Sequence, residues 1–99
     1  MTRIGGGEPA EAGNALRITG RARRALGEPQ AALTALTQAL EIDRDLGDPR
    51  RILADLTELA RAAEAAGDKA AARDYRDRAL AVSRAIRGAA AGDSEPPAR

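Results

Sequence analysis

Three glycine-centred breaks limit what this 99-residue chain can fold into. Gly27 is followed by Pro29, Gly47 by Asp48-Pro49, and Gly67 by Asp68. Glycine takes up the left-handed turn that ends a helix, and aspartate caps the helix that follows. Proline suits a first turn, where its missing N–H has no partner in any case. Between the breaks, apolar residues recur at spacings of three and four, the period of a helix with one buried face. The first segment runs from about Pro9 to Leu26 and carries Leu16, Ile18, Ala22 and Ala25. The second carries Ala32, Leu33, Leu36, Ala39, Leu40 and Ile42, and the third Ile52, Leu53, Leu56, Leu59, Ala60 and Ala63. The fourth carries Ala72, Tyr75, Ala79, Leu80, Val82 and Ile86 and is expected to end near Gly88. Links of two or three residues force consecutive helices into antiparallel hairpins. The expected fold is all-α, two hairpins over residues 9–88. Residues 1–8, with Gly5-Gly6-Gly7, and residues 89–99, with Pro96-Pro97, read as disordered tails.

Composition supports helices and narrows the chemistry. The 25 alanines exceed the ten leucines, five isoleucines and one valine together, so helix axes can approach closely. Sixteen basic residues against 15 acidic ones leave a net charge of +1, which rules out function by a strong overall field. With no Cys and no His, the chain has no thiol nucleophile, no zinc ribbon and no imidazole base. No apolar run approaches the roughly 18 to 20 residues of a membrane span, and Met1–Gly7 lacks the apolar core of a signal peptide. A cytoplasmic location and no membrane partner are the resulting expectations.

The chain also repeats itself. A shift of 40 places Leu16 on Leu56, Arg21 on Arg61, Gly27 on Gly67, Ala32 on Ala72, Ala39 on Ala79 and Leu40 on Leu80. Ala22, Ala25, Ala31 and Arg44 likewise fall on Ala62, Ala65, Ala71 and Arg84. The glycines coincide at the inter-helix turn, so the repeat follows helix boundaries, as in an α-solenoid of units about 9–48 and 49–88.

These residues resemble the tetratricopeptide repeat. Leu16, Gly20, Gly27, Ala32, Leu36 and Ala39 match its pattern of large and small positions in the first unit. Leu56, Ala60, Gly67, Ala72 and Ala79-Leu80 match it in the second. Arg23 and Ala63 stand where the motif has an aromatic, Arg76 where it has a large apolar residue beside Tyr75, and Arg44 where it has proline. The longer unit with its Leu46-Gly47-Asp48 turn is similar to repeats in the sensor regions of LuxR- and SARP-type bacterial regulators and in kinesin light chains. The resemblance implies a protein-binding scaffold whose first helices line a concave groove. It puts Asn14, Arg17, Ile18, Arg21 and Arg24 on that face, with Ala54, Thr57, Glu58, Arg61 and Glu64 from the second unit.

Arg17, Arg21 and Arg24 form one helical stripe by spacing alone, which Arg61 extends. Guanidinium forks bind carboxylates bidentately, so the stripe suits an acidic peptide, with a merely solvated face as the plain alternative. Nucleic acid is disfavoured, because no aromatics interleave the arginines. Catalytic readings are poor, and neither an enzyme nor a cofactor is expected. Asp43 and Asp45 point in different directions, and Asp74 and Asp77 stand among arginines, so all four are expected in solvated ion pairs. Ser83 and Ser94 have no His to activate them, and Tyr75 is expected to pack.

Two units bury little, and Leu80, Val82 and Ile86 have no further helix to cover them. Two outcomes stay open: the chain pairs with itself through that face, or it adjoins further repeats of a longer array. The expected function is a protein-interaction module that binds a peptide or partner helix. The rival is a self-associating helical bundle with a purely structural role.

Overall fold

The computed structural model describes the backbone of residues 8–94 and the side chains of residues 8–90. The chain forms four helices: α1 Pro9–Ala25, α2 Pro29–Leu46, α3 Pro49–Ala65 and α4 Lys69–Ser94. The breaks act as the sequence suggests. Gly47 ends α2 in the left-handed conformation at φ 67°, and Gly27 and Gly67 repeat that turn. The Asp48 carboxylate accepts from the Arg50 and Arg51 N–H groups at 3.1 and 3.3 Å, satisfying two donors that α3 itself cannot. Asp68 does the same for Ala71 N–H at 3.0 Å.

α1 packs on α2, α2 on α3 and α3 on α4, and α3 also reaches back to α1. Among the described residues the backbone of α4 comes close to that of α3 alone. The two antiparallel hairpins are therefore stacked in an open row and do not close into a four-helix bundle. The core lies between α2 and α3: Ala32, Leu36 and Leu40 meet Leu56, Leu59 and Ala62, with Tyr75, Ala79 and Val82 of α4 against them. Small residues let α1 come close. A Cβ on Gly20 would lie 2.6 Å from Leu36 Cδ2, and one on Gly13 would lie 2.9 Å from Asp43 Oδ1.

Two expectations need correction. α4 does not stop near Gly88 but runs on to Ser94: Ala89, Ala90 and Ala91 carry the helix on, and Gly88 and Gly92 each oppose it by only about 1 kcal/mol. Residues 1–7 and 95–99 of the expected tails lie outside the described residues. Leu80, Val82 and Ile86 also do not share one face. Val82 and Ile86 follow Tyr75 and Ala79 at helical spacing and are half-buried, whereas Leu80 points away from that stripe and is 45% exposed. No helix among the described residues is long and apolar enough to cross a membrane.

Gly20→Ala tests the close approach of α1. Alanine is the better helix former by about 1 kcal/mol, yet overpacking a tight contact costs about 1–3 kcal/mol. The expected net result is a lower urea midpoint. A higher midpoint would show that Leu36 has room to yield.

Candidate functional site

Polar residues from three helices converge where the hairpins meet. Asp43 of α2 and Asp55 of α3 are fully buried. Each occupies an apolar stripe of its own helix, Asp43 following Leu36, Ala39 and Leu40, and Asp55 standing between Ile52 and Leu59 beside Leu56. Arg17 of α1 reaches both: its Nη1 donates to Asp43 Oδ2 at 3.1 Å and to Asp55 Oδ1 at 2.8 Å. Arg51 of α3 donates from Nε to Asp43 Oδ1 at 3.0 Å. The Asn14 amide oxygen accepts from both arginines, and Arg51 also donates to the Ala10 carbonyl.

One atom in this cluster has no donor. Asp55 Oδ2 is buried and accepts nothing, while its carboxyl group lies against that of Asp43. A proton on Asp55 lets it donate to Asp43, which removes the clash of two anions. Burial accordingly pushes Asp55 up from 3.8 to about 7, and the neighbouring Asp43 adds to the rise against the pull of Arg17. Burial would also raise Asp43. Hydrogen bonds from Asp55 and Arg51, with the charges of Arg51 and Arg17, outweigh it and hold Asp43 below its ordinary value.

A second ionic group adjoins the first. Glu58 is buried, and three guanidinium groups share its carboxylate. Arg61 Nη1 is 3.0 Å from Oε2, Arg21 Nε 3.7 Å from Oε2, and Arg24 Nη2 3.7 Å from Oε1. Three cations on one anion leave the patch positive, with Arg21 and Arg61 more than half exposed. The third feature is a groove of about 490 Å³ between α3 and α4. Its floor is Leu53, Ala60, Ala79 and Leu80, and Arg61, Glu64 and Arg76 stand on its rim. Arg76 donates to Glu64 at 2.8 Å, so that part of the rim neutralises itself.

The expected groove residues thus divide into groups. Asn14 and Arg17 are engaged in the inter-hairpin cluster. Arg21, Arg24 and Arg61 gather on Glu58, whereas Thr57 and Glu64 line the α3–α4 groove together with Arg61. Asp43 is no solvated carboxylate. It pairs across the structure with Asp55, and Asp45 remains at the surface. Asp74 does form a surface pair, with Arg78 at 3.4 Å, and Tyr75 packs on the core with the Arg78 guanidinium 5.6 Å from its ring centre.

Chemically, the Asp43–Asp55 pair is sealed from solvent and already held by two arginines. It can position helices, but no substrate can reach it. Among the described residues no three of His, Cys, Asp and Glu come together as a metal-binding group. The α3–α4 groove, by contrast, is open to another molecule.

Two measurements check this arrangement. Unfolded Asp55 loses its proton near 3.8, and folded Asp55 keeps it to about 7. Between those values the native state holds a proton that the unfolded state has lost. The Asp55 contribution to stability therefore falls as pH rises from about 4 to about 7. Asp43 acts the other way, its contribution being lost only as pH falls through its lowered folded value. Thermal melts should show that decline, and Asp55→Asn should flatten it; an unchanged slope in the variant would place its origin elsewhere. Separately, Arg17→Leu strips a cation from two buried carboxylates and should cost about 3–5 kcal/mol. Arg21→Leu at its exposed position should stay within about 0.5–1 kcal/mol. Equal urea midpoints for the two variants would contradict the different roles assigned to them. No family model, no curated protein and no solved structure matches this chain, so the reading of the site rests on its geometry.

Proposed function

We propose that the chain is a protein-interaction module, a two-unit array of the tetratricopeptide kind, that takes a partner helix or peptide into the α3–α4 groove. The carrying observation is the groove itself: about 490 Å³, with an apolar floor and charged residues confined to its rim. Leu80, left 45% exposed in that floor, is the natural anchor point for an apolar side chain. An amphipathic helix lies in such a groove with anchors at helical spacing. The excess positive charge around Glu58 favours a partner with a carboxylate near Arg61. This places recognition on α3 and α4, and the α1 arginine stripe contributes through Arg21 and Arg24 alone.

Selection of binders from a displayed library of random amphipathic helices tests the reading. Binders should emerge, and Leu80→Asp should weaken most of them at least about tenfold, a loss of roughly 1.4 kcal/mol. Thr37→Asp, on an exposed face of α2, should leave binding unchanged. A set of binders indifferent to Leu80→Asp would overturn the assignment of the groove.

A further inference from the structure

The α3–α4 groove is the period-equivalent of the surface on which α3 is seated. Moving back 40 residues carries Thr57, Leu80 and Ser83 of the groove onto Arg17, Leu40 and Asp43. Those three receive α3: Arg17 holds Asp55, Asp43 accepts from Arg51, and Leu40 packs in one cluster with Leu56 and Leu59. The groove is thus shaped for a helix presented as α3 is presented.

The same shift carries the seated face of α3, Ile52, Asp55, Leu56, Leu59 and Ala62, onto Ala12, Ala15, Leu16, Thr19 and Ala22 of α1. Among the described residues no helix covers this face of α1. Leu16 is half-buried and the other four are exposed. Beside them Ile18 and Leu26 are 64% and 68% exposed, the most exposed of the large apolar side chains among the described residues. One end of the array offers an unfilled groove, and the other offers an uncovered helix face related to it by the repeat.

Charge agrees with shape. Within the chain, Arg51 on the seated helix meets Asp43 on the receiving surface. The period puts Glu11 in place of Arg51 and Ser83 in place of Asp43. Ser83 Oγ accepts from Arg87 Nη1 at 2.7 Å, so a cation stands where the incoming Glu11 arrives. The acid and base have exchanged sides, and the pair remains complementary. Ile18 takes the place of Glu58, which pairs with Arg21 and Arg24, and so arrives beside their equivalents Arg61 and Glu64 on the rim.

We propose that α1 of a second copy of this chain occupies the α3–α4 groove in a head-to-tail contact, setting Leu16 on Leu80 and Glu11 beside Arg87. The proposal rests on the groove being a helix-binding surface and names the helix. Such a contact joins two different patches, so it does not close on itself, and copies add in a row.

Sedimentation velocity over a roughly hundredfold concentration range is the test. Wild-type mass should rise beyond a dimer. Ile18→Asp and Leu80→Asp, both at exposed positions, should each give a monomer with unchanged helicity. Mixed one to one they should form a dimer and stop there, since each variant keeps the half that the other has lost. Glu11→Arg and Arg87→Glu should each weaken association, and the two together in one chain should restore it. This charge exchange decides the matter if either aspartate variant fails to fold. A mixture that stays monomeric overturns the proposal, as does association indifferent to Ile18→Asp, which would point to a two-fold contact through α4. A wild-type monomer at every concentration overturns it as well. In that case Leu80-dependent binding of selected helices leaves the groove reading standing, and the loss of both removes the two together.

Discussion

The burial of Asp43 and Asp55 governs how the two hairpins meet. Removing a carboxylate from water costs several kcal/mol, and only close cations and hydrogen bonds offset that cost. Here the cations are Arg17 from α1 and Arg51 from α3, and the carboxylates lie on α2 and α3. No single hairpin contains a satisfied set. Sliding α3 by a turn would part Asp55 from Arg17 and Arg51 from Asp43, so the cluster fixes the register of one hairpin on the other. Hydrophobic packing alone would do this weakly, because alanine faces offer few distinct ways to tell one register from the next. The ionic cluster thus contributes specificity where a core rich in alanine contributes little of it.

Small residues make that cluster possible. Gly13 brings the α1 backbone against Asp43, and Gly20 brings it against Leu36. With larger side chains α1 would stand off, and the Arg17 guanidinium would not span to both carboxylates. Glycine inside a helix costs about 1 kcal/mol relative to alanine. Close packing of α1 on α2 and the bonds through Arg17 offset this loss. The result is a thin array in which each helix is held chiefly by its neighbours.

Much of the fold could be read from local pattern, because turn glycines, capping aspartates and apolar spacing act within a few residues. The helix order, the three turns and the hairpin pairing all follow from such signals. The cluster could not be read in that way, since its partners lie 26 and 38 residues apart. Even so, the chain carried a hint. Asp55 stands in register with Ile52, Leu56 and Leu59, and Asp43 with Leu36, Ala39 and Leu40. A carboxylate inside an apolar stripe is the informative exception to hydrophobic burial. Arg17 shares a stripe with Arg21 and Arg24, which conceals that it alone of the three reaches the buried aspartates. On α4, reading the apolar residues as one set hid the division between the stripe of Tyr75, Val82 and Ile86 and the lone Leu80. Gly88 resembles the stop signals at Gly27, Gly47 and Gly67, but no capping residue follows it, and the helix continues to Ser94.

Among the described residues α4 differs from the other helices in having the backbone of a single helix beside it. In a linear array, opening free energy is a sum over adjacent interfaces, so the end helix opens before those inside it. Half of the groove floor, Ala79 and Leu80, belongs to that helix. Whatever enters the groove gives α4 its second neighbour and draws down the population in which it has peeled away. Occupancy and the order of the terminal helix are therefore linked, and amide exchange along α4 becomes a gauge of whether the groove is filled.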